Sequence, residues 1–481
     1  MVNQSIFKSY DVRGVYPAEL NEPAALAVGR AFARLTVAKK VVVGYDARLS
    51  SPVLFKALLG GLFYEGVEVI NIGQTPTEGL YFAVANYDVD AGIMITASHN
   101  PKDYNGFKML KKESGEMAII RGKDLVPFIA DLDNYDKFKN SALDQLNARP
   151  NNKIHFSGPA KNTKAKVQNK DILNDYLSYI SYFFNKKDIK RFKIVVDASN
   201  GVMGRLIKKI KRSLPVKVIE LNFKPDGNFP NHSPNPLDEG ASNQIAQKIT
   251  AKKADFGFMF DGDADRIFLV DERGQMVSAD IVLLLLAKYF LSKNPRPKMG
   301  EARPERAAGM GIAYNLICSR SVPEFIVKWG GVPIRTQVGF VNVREGLINN
   351  NGIMGGELSA HYCFKDYWYM DSGMIAFLTL LQIISKEGKS VSEIVKELSI
   401  YAPPAQISFQ IENKETVLEK VKQKYSNGKQ DFLDGITVEY DNWWFNLRPS
   451  NTEPLLKLTI EAQTQELLEE KKKELSEFIK Q

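Results

Sequence analysis

Two cysteines, four histidines and no long apolar run set the first limits on this 481-residue chain. Cys318 and Cys363 lack the paired spacing that holds zinc or builds a disulfide framework, so a reducing compartment is expected. The longest apolar stretch, Ile281 to Leu291, is too short to cross a bilayer and is broken by Lys288. It reads as a buried helix, and no membrane role is implied. Met1 to Asp11 shows no charged start followed by an apolar core, so no secretory signal is read there and a cytoplasmic location is expected. Imidazole chemistry is confined to His99, His155, His232 and His361. Lys and Arg exceed Asp and Glu by 64 to 56, a net +8 that is scattered along the chain. Without a basic arm, nucleic acid is not expected as a partner; the excess fits a solvated surface or a cleft for anions equally well.

What remains is the composition of a folded protein, 44% hydrophobic and 25% charged, which excludes disorder and fibres. The length calls for three or four domains of about 100 to 150 residues each. Short β-rich runs alternate with helical ones: Lys40 to Gly44, the helix Pro52 to Glu65, Val67 to Ile72 and Ala91 to Thr96. That order predicts βαβ units and a largely parallel sheet. The pattern returns at Phe192 to Asp197 with the helix Gly204 to Arg212, and again at Phe256 to Phe260 with Ile267 to Val270. Beyond Ala402-Pro403-Pro404 the pattern changes to an α+β domain: a strand at Gln406 to Ile411, a helix near Thr416 to Lys424, a strand near Leu455 to Ala462 and a closing helix. Leu467, Leu468, Leu475, Phe478 and Ile479 share one face of that helix, a stripe expected to dock on its own sheet. Pro295 to Met310 departs in composition from its surroundings and reads as an inserted surface loop with no function assigned.

Two segments carry chemistry. Gly92 to Ile95 is a hydrophobic strand running into Thr96-Ala97-Ser98-His99-Asn100-Pro101, so Ser98 is presented at a strand end, where open parallel sheets bind ligands. Adjacent side chains rarely face each other and there is no Gly-x-Ser-x-Gly elbow, so acyl transfer is disfavoured; a plain Asn-supported turn stays open. Asp261-Gly262-Asp263-Ala264-Asp265-Arg266 also follows a strand. Three carboxylates at alternate positions suit a hard cation, above all magnesium, and the spacing and closing Glu of an EF-hand are absent. A solvated acidic turn is the rival reading.

These two loops resemble the phosphoserine and metal loops of the α-D-phosphohexomutase superfamily. Two further segments follow in order. Gly355-Gly356-Glu357-Leu358-Ser359-Ala360-His361 is similar to the family's sugar-recognition loop. Arg448-Pro449-Ser450-Asn451-Thr452-Glu453-Pro454 is similar to its phosphate-binding loop. The likeness extends to Phe7 through Gly14, to Pro225-Asp226-Gly227 and to Pro234-Asn235-Pro236. It implies three related α/β domains with mixed, largely parallel sheets and a smaller C-terminal α+β domain around a central cleft, with one loop each. The expected boundaries are residues 1–155, 156–275, 276–398 and 399–481.

The resemblance implies a phosphohexomutase in which phosphorylated Ser98 donates its phosphoryl to a sugar monophosphate and recovers one from the bisphosphate. It places catalysis on Ser98, His99, Lys108, Arg13 and Arg266, with Lys108 as proton shuttle, and Mg2+ on Ser98, Asp261, Asp263 and Asp265. Sugar and phosphate contacts fall to Glu357, Ser359, His361, Arg320, Arg448, Ser450, Asn451 and Thr452. Hexose 1,6-bisphosphate is the implied activator, sugar phosphates are the implied partners, and a monomer or weak homo-oligomer is expected. The Glu-Leu-Ser-Ala-His form favours mannose and glucose phosphates over glucosamine phosphate. Phe340 stands where many members carry histidine, and Ile317 where some carry a phosphate-binding lysine, a task left to Arg320. A phosphatase and a non-catalytic sugar-phosphate binder are the rival classes.

Overall fold

The computed structural model describes residues 2–113, 115–130, 166–293, 310–450 and 455–480. Of the expected inserted loop, Pro295 to Met310, residues 295–309 lie outside them, as does His155. The chain divides into two compact units, Met1–Val270 with Gly373–Leu378, and Asp271–Ser372 with Thr379–Gln481.

The first unit holds two sheets. One is built from β1 (Val12–Val15), β2 (Lys40–Tyr45), β3 (Glu68–Gln74), β4 (Ala91–Ile95), β5 (Tyr104–Glu113), β6 (Glu116–Ile120) and β7 (Val167–Asn169), in the order β1-β5-β4-β2-β3-β7 with β6 beside β5. Strands β4, β2, β3 and β7 run parallel, while β5 pairs antiparallel with β1, β4 and β6. Every residue of β4 is buried, which is why this central strand reads as an unbroken apolar run rather than an alternating one. Helices α1 (Glu22–Thr36), α2 (Ser51–Tyr64) and α3 (Thr77–Asn86) fill the crossovers, α2 within a residue of the expected Pro52 to Glu65. Asn21 caps α1 by accepting the Ala24 N–H at 3.2 Å, one of the donors a helix start otherwise leaves unsatisfied.

The second sheet has β8 (Lys193–Asp197), β9 (Lys217–Leu221), β10 (Phe256–Phe260) and β11 (Ile267–Val270) in the order β11-β10-β8-β9, with only β11 antiparallel. All five residues of β10 are buried, and Phe258 meets Phe256 edge-on at a centroid distance of 5.6 Å.

The second unit repeats the arrangement once and then changes. β12 (Gly311–Asn315), β13 (Val332–Thr336), β14 (Met354–Gly356), β15 (Tyr362–Phe364) and β16 (Met370–Asp371) form a sheet whose first three strands are parallel. The helix Ala279–Lys293 contains the apolar run, buried from Ala279 to Ala287 as the sequence predicts. The last sheet is antiparallel throughout: β17 (Ala405–Gln410), β18 (Lys429–Asp431), β19 (Ile436–Glu439), β20 (Trp443–Pro449) and β21 (Leu455–Ala462), ordered β17-β21-β20-β19-β18. Leu468, Leu475 and Ile479 of the closing helix Gln465–Ile479 sink into its core beside Phe445 and Leu458, with Leu467 and Phe478 half-buried at the margin. The stripe docks on its own sheet. Three α/β domains and a smaller α+β one are thus present, and each of the four motif loops begins where a strand ends, after β4, β10, β14 and β20.

Candidate active site

In the first unit, Ser98 leaves the end of β4 in a left-handed conformation, φ +50°, and is 2% exposed. L-residues with side chains enter that region at a cost and persist there only when the surroundings hold them. The Ser98 hydroxyl donates to Asp261 Oδ2 at 2.8 Å and lies 3.3 Å from His99 Nδ1. The expectation that neighbouring Ser98 and His99 point apart is therefore corrected: the left-handed turn breaks the alternation of extended chain and brings both side chains to one side.

Asp261, Asp263 and Asp265 are all buried, and one carboxylate oxygen from each lies within 4.8 Å of the others. Ala264, left-handed at φ +64°, folds the segment back, and the Ala264 N–H donates to the Asp261 carbonyl. Gly262 is required for another reason: a Cβ there would come within 2.7 Å of the Ser98 carbonyl oxygen. The two loops therefore meet backbone to backbone. Burial, then the charges of Asp265 and Asp263, push the Asp261 carboxyl well above the ordinary range, against the opposing pull of Arg266 and Lys108.

Two cations contact this group, and a third stands on the Ser98 loop. Lys108 on β5 lies opposite Met94 of β4, and its ammonium donates to Asp263 Oδ2 at 2.7 Å and, more closely still, to Asp265 Oδ2. Arg266 Nε stands 3.8 Å from Asp261 Oδ2. Arg13 on β1 donates to Asn100 Oδ1 at 2.6 Å and to Asp11 Oδ2 at 2.5 Å. All five residues assigned to catalysis by sequence fall in this one unit with the acidic loop.

The second unit carries the remaining candidates. Glu357 follows β14, and its Oε1 accepts from the Ser359 hydroxyl and lies 2.7 Å from His361 Nδ1. Ala360, at φ +68°, closes the turn that gathers the three side chains. Phe340 opens the helix Phe340–Asn349 and sets its ring 5.7 Å from that of His361. Arg448 is buried at the end of β20, and the Ser450 N–H donates to the Leu455 carbonyl. Asn451 and Thr452 lie outside the described residues. The Arg320 guanidinium donates to the carbonyls of Tyr440 at 2.8 Å and Asp441 at 3.0 Å, and its backbone N–H to Glu461.

Four domain families match along the chain: phosphoglucomutase/phosphomannomutase alpha/beta/alpha domain I at residues 4–124, domain II at 174–274, domain III at 278–401 and the C-terminal domain at 407–478. A phosphomannomutase of Vibrio cholerae is 34% identical, covering 100% of this chain and 99% of the relative. The chain belongs to the phosphoglucomutase/phosphomannomutase family. A phosphomannomutase of Methanocaldococcus jannaschii is 33% identical over 98% of this chain and 97% of its own. The crystal structure of a phosphoglucomutase/phosphomannomutase family protein from Burkholderia thailandensis matches with a TM-score of 0.78 at 31% identity, covering 100% of this chain and 98% of that one. The chain is a phosphohexomutase, an enzyme, and the phosphatase and binding-only readings fall away.

In this phosphohexomutase the acidic loop fits a metal ion on its own structural terms. All donors are carboxylate oxygens, and Asp263 Oδ1 is buried without a hydrogen-bond partner, a state polar atoms rarely keep unless something else binds them.

Sequence reasoning passed over three residues that shape the site. Thr77, the first residue of α3, donates its hydroxyl to Asp263 Oδ2 at 2.6 Å and its N–H to the Asp263 carbonyl. Asp46 and Arg48 follow the end of β2 and are both buried. Their signal was present: an acid and a base directly after a parallel strand, by the rule that singled out the other loops.

Proposed function

We propose that this enzyme interconverts the 1- and 6-phosphates of mannose and glucose through a phosphoserine at Ser98 and a hexose 1,6-bisphosphate, and that Mg2+ is the resident cation. The observation that carries this reading is the Ser98 hydroxyl 2.8 Å from Asp261 within three buried carboxylates. Asp261, Asp263 and Asp265 would hold the ion together with an oxygen of the Ser98 phosphoryl; when bound, it neutralises phosphoryl charge and leaves the chemistry to the protein.

The bond from phosphorus to Ser98 Oγ breaks as one to the sugar hydroxyl forms, and the hydroxyl proton passes to a base; the second transfer reverses these events with the other phosphoryl. Lys108 and His99 are the proton carriers in reach of the Ser98 and Asp263 groups. Arg13 and Arg266 bring positive charge to the transferring phosphoryl, whose catalysis is chiefly positioning and charge neutralisation. Glu357, Ser359 and His361 bind sugar hydroxyls. Arg448 and Ser450, with Asn451 and Thr452, grip the unreactive phosphate. Arg320 gives two of its five N–H donors to the carbonyls of Tyr440 and Asp441, and the remaining donors are assigned to substrate phosphate. The domain boundaries proposed with this assignment are 155/156, 275/276 and 398/399.

The test is conversion of mannose 1-phosphate and glucose 1-phosphate to their 6-phosphates with Mg2+ and a trace of hexose 1,6-bisphosphate. Ser98→Ala is expected to lower turnover by at least about a thousandfold, since removing a nucleophile leaves only binding and electrostatic assistance. Undiminished turnover by Ser98→Ala would end the phosphoserine reading, and conversion of glucosamine phosphate alone would move the enzyme to another substrate.

A further inference from the structure

Arg48 is among the largest fully buried side chains of the chain and is no part of the chemistry assigned above. Its guanidinium faces the back of the Ser98 loop. Nε donates to Asp46 Oδ2 at 3.1 Å, Nη1 to the carbonyls of Pro101 at 2.6 Å and Tyr104 at 2.9 Å, and Nη2 to those of Ser98 at 2.8 Å and Asn100 at 2.6 Å. Arginine has five N–H donors in a fixed planar fork. All five are used, four of them on backbone carbonyls of one turn.

Asp46 completes the arrangement. It accepts from the Arg48 N–H, the Ser51 hydroxyl and the Thr96 hydroxyl. Thr96 Oγ1 in turn receives the Ser98 N–H at 2.8 Å and stands 3.2 Å from Asp263 Oδ2. One buried ion pair therefore touches the serine loop through its carbonyls and, through one hydroxyl, both the Ser98 amide and a carboxylate of the acidic loop. Ring and backbone close the other side: Phe229 lies 5.3 Å from the guanidinium carbon, and Gly227 packs where a Cβ would be 2.5 Å from the Ala47 carbonyl oxygen.

We infer that Arg48, anchored by Asp46, is the positioning residue that holds Ser98 in its left-handed conformation with the hydroxyl aimed at the acidic cluster, so that it sets the rate at which Ser98 gains and loses a phosphoryl group. The inference rests on Ser98 being the phosphoryl carrier. Four carbonyls turned toward one buried cation fix the peptide planes from Ser98 onward, and the Thr96 hydroxyl bonded to Asp46 fixes the plane before it, which one hydrogen bond or simple packing would not do. Lysine, with three donors on a single point, cannot serve four carbonyls and a carboxylate at once.

The experiment is to mix purified Ser98-dephosphorylated enzyme with glucose 1,6-bisphosphate and Mg2+, and to follow Ser98 phosphorylation by intact mass in wild type, Arg48→Lys and Asp46→Asn, alongside kcat and KM for glucose 1-phosphate. Displacing a reacting atom by about 1 Å costs on the order of a hundredfold in rate. Arg48→Lys is therefore expected to slow phosphorylation and kcat together by about that factor, with KM within about twofold of wild type. Asp46→Asn leaves the fork in place but removes its anchor, and is expected to slow both by a smaller factor; it carries the test alone if Arg48→Lys does not fold. A folded variant that is less stable yet takes up phosphoryl at the wild-type rate would show the pair to be structural only and overturn the inference. If the wild type itself takes up no phosphoryl on Ser98, the phosphoserine reading falls and this inference with it.

Discussion

Replacing Lys108 with methionine separates the cation that the protein supplies to its acidic loop from the one that solution supplies. The ammonium lies 2.7 Å from Asp263 Oδ2 and touches Asp265 Oδ2, while the two carboxylates are 0% and 2% exposed. At 2.7 Å and an effective dielectric constant near 20, one such pair is worth about 6 kcal/mol before desolvation is counted. Measured losses on removing one partner of a buried pair are nearer 3–5 kcal/mol, and the 19% exposure of Lys108 argues for the lower end. Lys108→Met, which keeps the apolar stem, should then destabilise the metal-free protein by about 3 kcal/mol, lowering the first thermal transition by roughly 6–12 °C for a unit of this size. Added Mg2+ should restore more stability to the variant than to the wild type, because in the wild type the ion must compete with an ammonium already seated on the same oxygens. Differential scanning fluorimetry in chelator and across a Mg2+ titration reads both effects. A variant as stable as the wild type in chelator, or one that gains less from Mg2+, would refute the reasoning.

Two predictions concern the second sheet. His232 donates from Nε2 to Asp197, 3.1 Å away, and from Nδ1 to the Ser233 carbonyl. Burial pulls its pKa down, but the hydrogen bond and charge of Asp197 outweigh that and leave it above the ordinary 6.5. The raised value means that the protonated ring stabilises the fold fully below about pH 6.5 and loses that contribution as pH climbs through the folded value. His232→Gln should therefore be less stable than wild type at pH 6, with the gap closing by pH 9 in urea melts; a gap constant with pH would count against the ion pair. Gly227→Ala would drive a methyl into the backbone of Ala47 and Leu49, both 2.5 Å away, and should cost about 1–3 kcal/mol as an overpacked contact. A variant with an unchanged urea midpoint would show that this loop yields without cost.

Much of the design lies open in the residue order. The apolar run of β4 followed by Thr96-Ala97-Ser98, and that of β10 followed by Asp261, announce strand ends bearing chemistry, because a buried parallel strand must be apolar on both faces and can change character only where it stops. The closing helix was equally legible, since a single apolar stripe has one sheet beside it in sequence on which to dock. What a neighbour in sequence does to a neighbour in space was not: Ser98 and His99 were expected to diverge, and one left-handed residue turned them together. That Arg320 also donates to two carbonyls about 120 residues further on was not legible either.

Residue types and their local spacing determined the strands and the helices, and set a serine and three carboxylates at strand ends, since these depend on side-chain chemistry and on hydrogen bonds along a short stretch of chain. Only the tertiary structure decided what holds the Ser98 loop in place. Arg48 reaches Ser98 from the end of β2 with Asp46 behind it, and Thr77 reaches Asp263 from the start of α3, 186 residues from the carboxylate it fixes. Burial turns those contacts into constraints, because a donor removed from water must find its acceptor inside the fold. Which acceptor it finds depends on how the sheets are stacked, not on which residues come next in the chain.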